Sequence, residues 1–102
     1  MRINPKLLNQ SFDYYAFKDA DTWSTSTYAD EPITVNNVRI DENLTGAYNA
    51  LAFIYASDTV PFIDFKRKSK IVTTNGTYII DNIVKINEPF ANKIWSVELE
   101  LI

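Results

Sequence analysis

The sequence predicts a single all-β domain, a small barrel or a sandwich, from three observations. Short runs rich in β-branched and aromatic residues alternate with turn signals along the chain. Asn75-Gly76 is the strongest short-range hairpin signal, because a type I′ turn needs positive φ at both central residues. The stretch from Thr77 to Ile102 has the pattern of two long strands joined by a turn, and its last strand is expected to close a sheet or barrel.

Composition limits the classes of function. The chain has 102 residues, the length of one domain, which we place at residues 1–102. It contains no cysteine and no histidine, so disulfides, thiolate metal sites and the usual general base are absent. The net charge of −3 argues against a general nucleic-acid binder. We therefore expect neither an enzyme nor a metal or cofactor site.

The first elements follow from local signals. A short helical turn is predicted from Asn4 to Asn9, where Pro5 suits the first helical position. Ser11 to Phe17 is predicted to be a strand that carries aromatic residues on both faces. The segment from Lys18 to Glu31 is polar and is predicted to be irregular.

Three further strands follow. Ile33 to Ile40 is predicted to be a strand, and its Asn36-Asn37 pair indicates a bulge. Ala50 to Ala56 is almost continuously apolar, which favours a central strand covered on both faces. Ile71 to Thr74 and Thr77 to Ile86 are predicted to form the hairpin about Asn75-Gly76.

The last strand supplies much of the expected core. Alternation puts Ile94, Ser96, Glu98 and Glu100 on one face and leaves the other face to Trp95, Val97, Leu99 and Leu101. Together with the central strands, this pattern predicts six largely buried side chains: Phe53, Ile54, Tyr78, Ile80, Trp95 and Val97.

A basic cluster is the first candidate interface. It comprises Lys66, Arg67, Lys68 and Lys70. One interpretation is a patch for an acidic protein partner, which the negative overall charge favours over the DNA backbone. The other is a solvated edge that discourages strand-to-strand aggregation.

Acidic residues are concentrated between Asp13 and Glu42, where the sequence has seven acidic residues and two basic ones. The segment could simply keep loops soluble. In a ring of subunits, the same charge would repeat around a channel and repel DNA phosphates, so that DNA would slide without sticking.

Trp23 and Tyr28 form the second candidate interface, because large aromatic side chains in a polar loop often mark a contact site. Alternatively, the loop folds back and covers the barrel mouth. A platform for sugar stacking is a weaker third interpretation.

Five segments together span nearly the whole chain: Ile3 to Leu8, Ile33 to Asp41, Pro61 to Ile71, Gly76 to Tyr78 and Trp95 to Ile102. In their order and spacing they resemble one known family, the minor capsid or head-completion (stopper) proteins of tailed phages of Gram-positive bacteria.

The resemblance implies a β-barrel subunit of the phage neck. Such subunits form a homo-oligomeric ring below the portal and its adaptor, and they dock the tail terminator or other tail proteins. A loop between early strands can line the DNA channel and contact packaged DNA transiently. In this sequence the matching candidate channel loop is Glu42, Asn43, Leu44, Thr45, Gly46, Ala47, Tyr48 and Asn49. Because this loop is short, it is expected to narrow the channel rather than plug it.

The expected location is the virion neck, after a stay in the host cytoplasm before assembly. No apolar run reaches the length of a membrane span, and the first residues lack a signal-peptide core, so no membrane contact is expected. The alternative function is a tail or baseplate module that binds a host-surface ligand through Trp23 and Tyr28.

Overall fold

The structure, a computed structural model, describes residues 9–20, 26–42, 46–87 and 93–102. These residues form eight strands and no helix. In chain order, the strands are β1 (Gln10–Tyr15), β2 (Phe17–Ala20), β3 (Ser26–Tyr28), β4 (Ile33–Glu42), β5 (Ala50–Tyr55), β6 (Lys70–Val72), β7 (Thr77–Asn87) and β8 (Ile94–Leu101).

Six of these strands close into an antiparallel barrel in the order β1–β4–β5–β8–β7–β6. Closure occurs at β1, where Tyr14 pairs with Ile33 of β4 on one side and with Ile71 of β6 on the other. The all-β barrel predicted from the sequence is therefore confirmed. The helical turn predicted from Asn4 to Asn9 lies outside the described residues, apart from Asn9.

The barrel interior holds one hydrophobic core. Its buried members come from all six barrel strands and from the segment before β6: Phe12, Tyr14, Val35, Val38, Ile40, Ala50, Ala52, Ile54, Phe65, Ile71, Ile80, Val97, Leu99 and Leu101. Burial of this apolar surface is the main force that holds the barrel together.

The polar segment after β1 is more regular than predicted. The expectation of irregular structure from Lys18 to Glu31 is wrong for its described part, where β2 and β3 pair as a two-stranded ribbon. Phe17 and Tyr28 face each other across this ribbon, with ring centroids 6.3 Å apart. The bond from the Ala29 amide to the Ala16 carbonyl ties the ribbon to the end of β1. Aromatic cross-strand contact thus outweighs the polar composition.

The bulge predicted at Asn36-Asn37 is confirmed. The register between β1 and β4 slips there, because Gln10 pairs with Val38 while Ser11 pairs with Asn36. Asn37 is the extra residue and has a φ of 61°, a left-handed conformation that asparagine tolerates. The bulge redirects β4 from its pairing with β1 toward its pairing with β5.

The β6–β7 hairpin is confirmed, but the predicted type I′ turn is wrong. Neither Asn75 nor Gly76 has the positive φ that this turn requires. Instead, the Thr73 hydroxyl accepts hydrogen bonds from the backbone amides of Asn75 and Gly76, each at 3.1 Å. A side-chain oxygen therefore replaces a backbone carbonyl at the turn.

Burial on β5 alternates rather than covering both faces. The strand is central, between β4 and β8, as predicted. Ala50, Ala52 and Ile54 are fully buried, whereas Phe53 is half-buried on the outer face of the barrel, where the Arg39 guanidinium lies 5.8 Å from its ring centroid. The sequence pattern could not separate these faces, because both carry apolar residues.

The other core expectations are met in part. Ile54, Ile80 and Val97 are buried as predicted, while Tyr78 and Trp95 are half-buried. Trp95 occupies a bulge, because Ile86 pairs with Ser96 and the next residue of β7 pairs with Ile94. The bulge breaks the predicted alternation of β8 at Trp95, whose ring packs against Tyr55 at 5.7 Å instead.

Candidate functional site

The basic cluster lies on a turn that is fixed to the barrel. The backbone amide of Lys68 donates to the Ile80 carbonyl at 2.8 Å, and the Ile80 amide donates to the Ser69 carbonyl at 2.9 Å. Lys68 has a φ of 70°, which turns the chain so that Ser69 points inward. These hydrogen bonds fix the backbone of the turn, while the side chains of Lys66, Arg67 and Lys68 are exposed.

Ser69 itself is fully buried and organises one end of the barrel. Its hydroxyl lies 3.1 Å from the Tyr14 hydroxyl and accepts a 2.9 Å bond from the Phe17 amide. The Lys66 amide in turn donates to the Tyr14 hydroxyl at 3.0 Å. We call this end of the barrel the Ser69 end. Sequence reasoning did not predict a core residue inside a basic run, and the only signal was the single small uncharged side chain of Ser69.

The lysines of this turn contact aromatic rings on the outer surface. The Lys70 ammonium lies 4.4 Å from the ring centroid of Tyr15 and 5.1 Å from that of Tyr28. The Lys68 ammonium lies 5.8 Å from the centroid of Phe17. These distances allow cation–π attraction. We call Tyr15, Phe17, Tyr28, Lys68 and Lys70 the basic–aromatic patch.

The structure thus brings together three of the six residues proposed as interfaces, namely Tyr28, Lys68 and Lys70. Lys66 and Arg67 are exposed, and the Arg67 side chain turns toward β7, where its Nε donates to the Asp81 carbonyl at 2.8 Å. Trp23 lies outside the described residues. The ring of Tyr28 is half-buried in this patch.

The opposite end of the barrel is closed by a carboxylate. Glu42 Oε1 accepts hydrogen bonds from the Thr73 hydroxyl at 2.9 Å and from the Tyr78 hydroxyl at 3.0 Å. Its Oε2 accepts a 2.7 Å bond from the Asn75 side-chain amide. We call this end the Glu42 end. Sequence reasoning assigned Glu42 to a loop and missed these partners, which the hairpin turn brings to it.

The environment of Glu42 favours its ionised form. Partial burial by itself raises the pKa of the carboxyl, but the hydrogen bonds from Asn75, Thr73 and Tyr78 outweigh it, so the pKa lies below its ordinary value. The pKa of the Tyr78 hydroxyl is raised by burial, by its bond to Glu42 and by the negative charge there. The two groups therefore form one coupled polar unit.

The candidate channel loop starts from this end. Asn43, Leu44 and Thr45 lie outside the described residues, while Gly46, Ala47 and Asn49 are exposed. Gly46 has a φ of 118°, which a residue with a Cβ rarely adopts. The Asn49 amide donates to the Leu101 carbonyl at 2.9 Å, which returns the chain to the barrel.

Tyr48 directs part of this loop toward β8. Its side chain is half-buried, and its pKa is raised by burial, by the charges of Glu100 and Asp81, and by a hydrogen bond to Glu100. The described part of the loop therefore leans over the outer surface of β7 and β8.

The described acidic residues between Asp13 and Glu42 lie on different elements of the fold. Asp13 accepts a bond from the Thr34 hydroxyl at 2.8 Å, Asp41 pairs with Arg39 at 3.2 Å, and Glu42 turns toward the end of the barrel. Asp30 and Glu31 are exposed in the connection to β4. A shared negative surface in a ring of subunits stays a prediction.

An apolar groove of about 280 Å³ lies near the Ser69 end. Its lining includes Phe62, Phe65, Ile83, Ile94 and Val97. At its rim, the Lys85 ammonium lies 3.5 Å from a carboxylate oxygen of Asp64.

In the part of the chain that the structure describes, no group of three or more acidic side chains is placed to hold a metal ion. The same residues include no helix long and apolar enough to cross a membrane.

Comparison with known proteins gives one match. A family model described as minor capsid protein matches residues 5–101, nearly the whole chain. No curated protein and no solved structure matches significantly.

Proposed function

The chain belongs to the minor capsid protein family, and from this premise we propose that it is a head-closure subunit of the bacteriophage neck. Membership supports a structural role in the virion. We place the subunit in a ring below the portal and adaptor. This ring lines the DNA channel, and the tail docks on it. The family match over residues 5–101 of a single barrel is the observation that carries it.

The closed barrel suits a rigid ring subunit. Closure gives each described barrel strand a partner on both sides over part of its length, which limits the edge that is open to another chain. We therefore place the contacts with neighbours mainly on side-chain surfaces. The basic–aromatic patch and the apolar groove are the surfaces of this kind on the Ser69 end.

The candidate channel loop suits weak contact with DNA. From Glu42 to Asn49 it carries no lysine or arginine, so it cannot neutralise phosphates and hold DNA in place. Its one carboxylate is held by Thr73, Asn75 and Tyr78. We propose that this loop narrows the channel and lets DNA pass with transient, non-specific contact.

The proposed partners follow from this position. The portal or adaptor would meet one end of the barrel, the tail terminator or another tail protein would meet the other, and further copies would lie at the sides. Before assembly the subunit would remain in the host cytoplasm. The Gram-positive host remains a prediction.

Removal of the gene from the phage, with complementation from a plasmid, tests the proposal. The expected particles are heads without tails that lose their packaged DNA, and free tails should accumulate beside them. Wild-type protein supplied from the plasmid should restore complete virions. Complete tailed particles that retain DNA but fail to adsorb to cells would contradict neck closure and favour the ligand-binding module of the tail.

A further inference from the structure

The strand order of the barrel places the β1–β6 side opposite the β5–β8 side. In the closed order β1–β4–β5–β8–β7–β6, β8 lies three places from β1, and β5 lies three places from β6. In a barrel of six strands, three places is half of the circumference. The basic–aromatic patch lies on the β1 and β6 side, so β5 and β8 form the opposite side.

The outer surface of β5, β8 and β7 combines apolar and acidic side chains. In one cross-strand row, Phe53 pairs with Glu98, and Glu98 pairs with Val84. In the next row, Leu51 pairs with Glu100. Inward neighbours such as Ala52 and Leu99 are fully buried, so the residues of these rows point outward, and Val84 is 37% exposed.

We call Leu51, Phe53, Val84, Glu98 and Glu100 the acidic–apolar face. Among the described residues, Glu98 and Glu100 make no ion pair with a lysine or arginine. Glu100 accepts a 2.8 Å bond from the Asn82 side-chain amide and a further hydrogen bond from Tyr48, and these bonds hold its carboxylate on this surface.

The basic–aromatic patch, on the opposite side of the barrel, carries the opposite charge and also presents aromatic area. Lys68 and Lys70 lie over aromatic rings and have no carboxylate partner within the described part of the chain. The Arg39 guanidinium also lies beside Phe53, but it is ion-paired with Asp41 at 3.2 Å. Each surface thus combines apolar or aromatic area with unpaired charge of one sign. Because both halves of this match occur on the same chain, a second copy of the chain satisfies them both.

We propose that the basic–aromatic patch of one copy docks on the acidic–apolar face of the next copy. This inference rests on the proposed function and specifies how neighbours in the ring meet. Two different surfaces on opposite sides of a subunit give a head-to-tail contact, which generates a ring when the rotation closes. Two basic–aromatic patches repel each other, so the charges also disfavour two-fold pairing.

Cysteine cross-linking tests the contact, because the native chain contains no cysteine. Lys70→Cys and Glu98→Cys are introduced together and also separately. Each variant is supplied from a plasmid to the phage that lacks the gene. Purified particles are treated with a short bis-maleimide linker and examined on a denaturing gel. The matched control pairs Glu98→Cys with Lys93→Cys, an exposed lysine at the start of β8.

The variant with both cysteines should give a ladder of covalent dimers, trimers and higher multiples. Each single-cysteine variant and the control pair should stay monomeric on the gel. Absence of the ladder from particles that contain the protein at the neck would overturn the head-to-tail contact and leave the neck assignment standing. Covalent dimers from Lys70→Cys alone would overturn it as well, by showing two-fold pairing. A ladder from protein located away from the neck would keep the contact and overturn the neck assignment.

Charge reversal provides a second test of the same contact, because the cysteine substitutions could disturb folding. Lys70→Glu alone and Glu98→Lys alone should each abolish incorporation into particles, while the two variants supplied together should restore it by alternating around the ring. Equal incorporation of Lys70→Glu and wild-type protein would contradict the proposed contact. Thermal melting of each purified variant shows whether its barrel is intact.

Discussion

The two ends of the barrel are both closed by polar side chains, but the chemistry of the closure differs. At the Ser69 end, neutral hydroxyls of Ser69 and Tyr14 are buried under Phe65. At the Glu42 end, a carboxylate and its three hydrogen-bond partners lie partly in solvent. Buried neutral networks are costly to break and insensitive to pH, whereas a solvated carboxylate contributes less and titrates.

This difference matches the role proposed for each end. The Ser69 end supports the basic–aromatic patch, so a rigid network there fixes the lysines against their rings. The Glu42 end supports the candidate channel loop, which needs an anchor but not a packed core. The basic–aromatic patch is thus attached to a buried network, whereas the candidate channel loop begins at a partly solvated carboxylate whose contribution to stability depends on pH.

The largest effect is expected for Phe65→Ala. Phe65 is 5% exposed, and its ring centroid lies 5.0 Å from that of Tyr14. Its removal leaves a cavity above the Ser69 network and should cost about 3–5 kcal/mol of unfolding free energy. Denaturant unfolding measures this cost. Phe62→Ala is the matched control, because Phe62 is 38% exposed in the same segment, and equal losses for both would show that Phe65 does not close the core.

Ser69→Ala should have the next largest effect. It leaves the Phe17 amide without its acceptor and removes the partner of the Tyr14 hydroxyl, at a cost of about 1–3 kcal/mol. Denaturant unfolding measures the loss. Ser57→Ala, at an exposed serine, serves as control and should change stability by less than about 0.5 kcal/mol. A cost for Ser69→Ala within the range of this control would contradict a structural role for the buried hydroxyl.

Glu42→Gln should change how stability depends on pH. The folded-state pKa of Glu42 lies below its ordinary value of 4.5, so the ionised carboxylate stabilises the barrel above that pH. This contribution is lost as the pH falls through the folded-state pKa. The wild-type protein should therefore lose more stability than Glu42→Gln does on acidification below about pH 4.5. Glu31→Gln, at an exposed carboxylate, is the control, and parallel pH profiles for Glu42→Gln and the wild-type protein would refute the anchoring role.

Tyr78→Phe should have the smallest effect, about 0.5–1.5 kcal/mol, because it removes one of the three hydrogen bonds to Glu42. A double-mutant cycle sharpens the test. If the two groups act as one unit, the cost of Tyr78→Phe should shrink in the Glu42→Gln background. Strictly additive costs would show that the hydroxyl and the carboxylate act independently.

Much of the barrel follows from local sequence. The periodicity of β7 and β8, the apolar β5, the hairpin near Asn75 and the bulge at Asn37 could all be predicted, because each depends on residues close together in the chain. The same reasoning missed the bulge at Trp95, since a register slip depends on the partner strand and leaves no mark in β8 itself.

The candidate surfaces were harder to predict for a related reason. Lys70 and Tyr28 could be named from their own segments, but their contact depends on how the β2–β3 ribbon lies against β1 and β6. Ser69 and Glu42 meet their partners across at least 30 residues of sequence. The sequence pattern placed Glu98 only on one face of the last strand. Its position on the outer surface beside β5 and β7 depends on barrel closure.

The most direct test of the neck assignment is electron microscopy of purified particles that carry a gold-labelled copy of this protein. Label is expected at the neck, between the portal and the tail tube. Label at the tail tip or the baseplate would contradict the neck assignment and would favour recognition of a host-surface ligand.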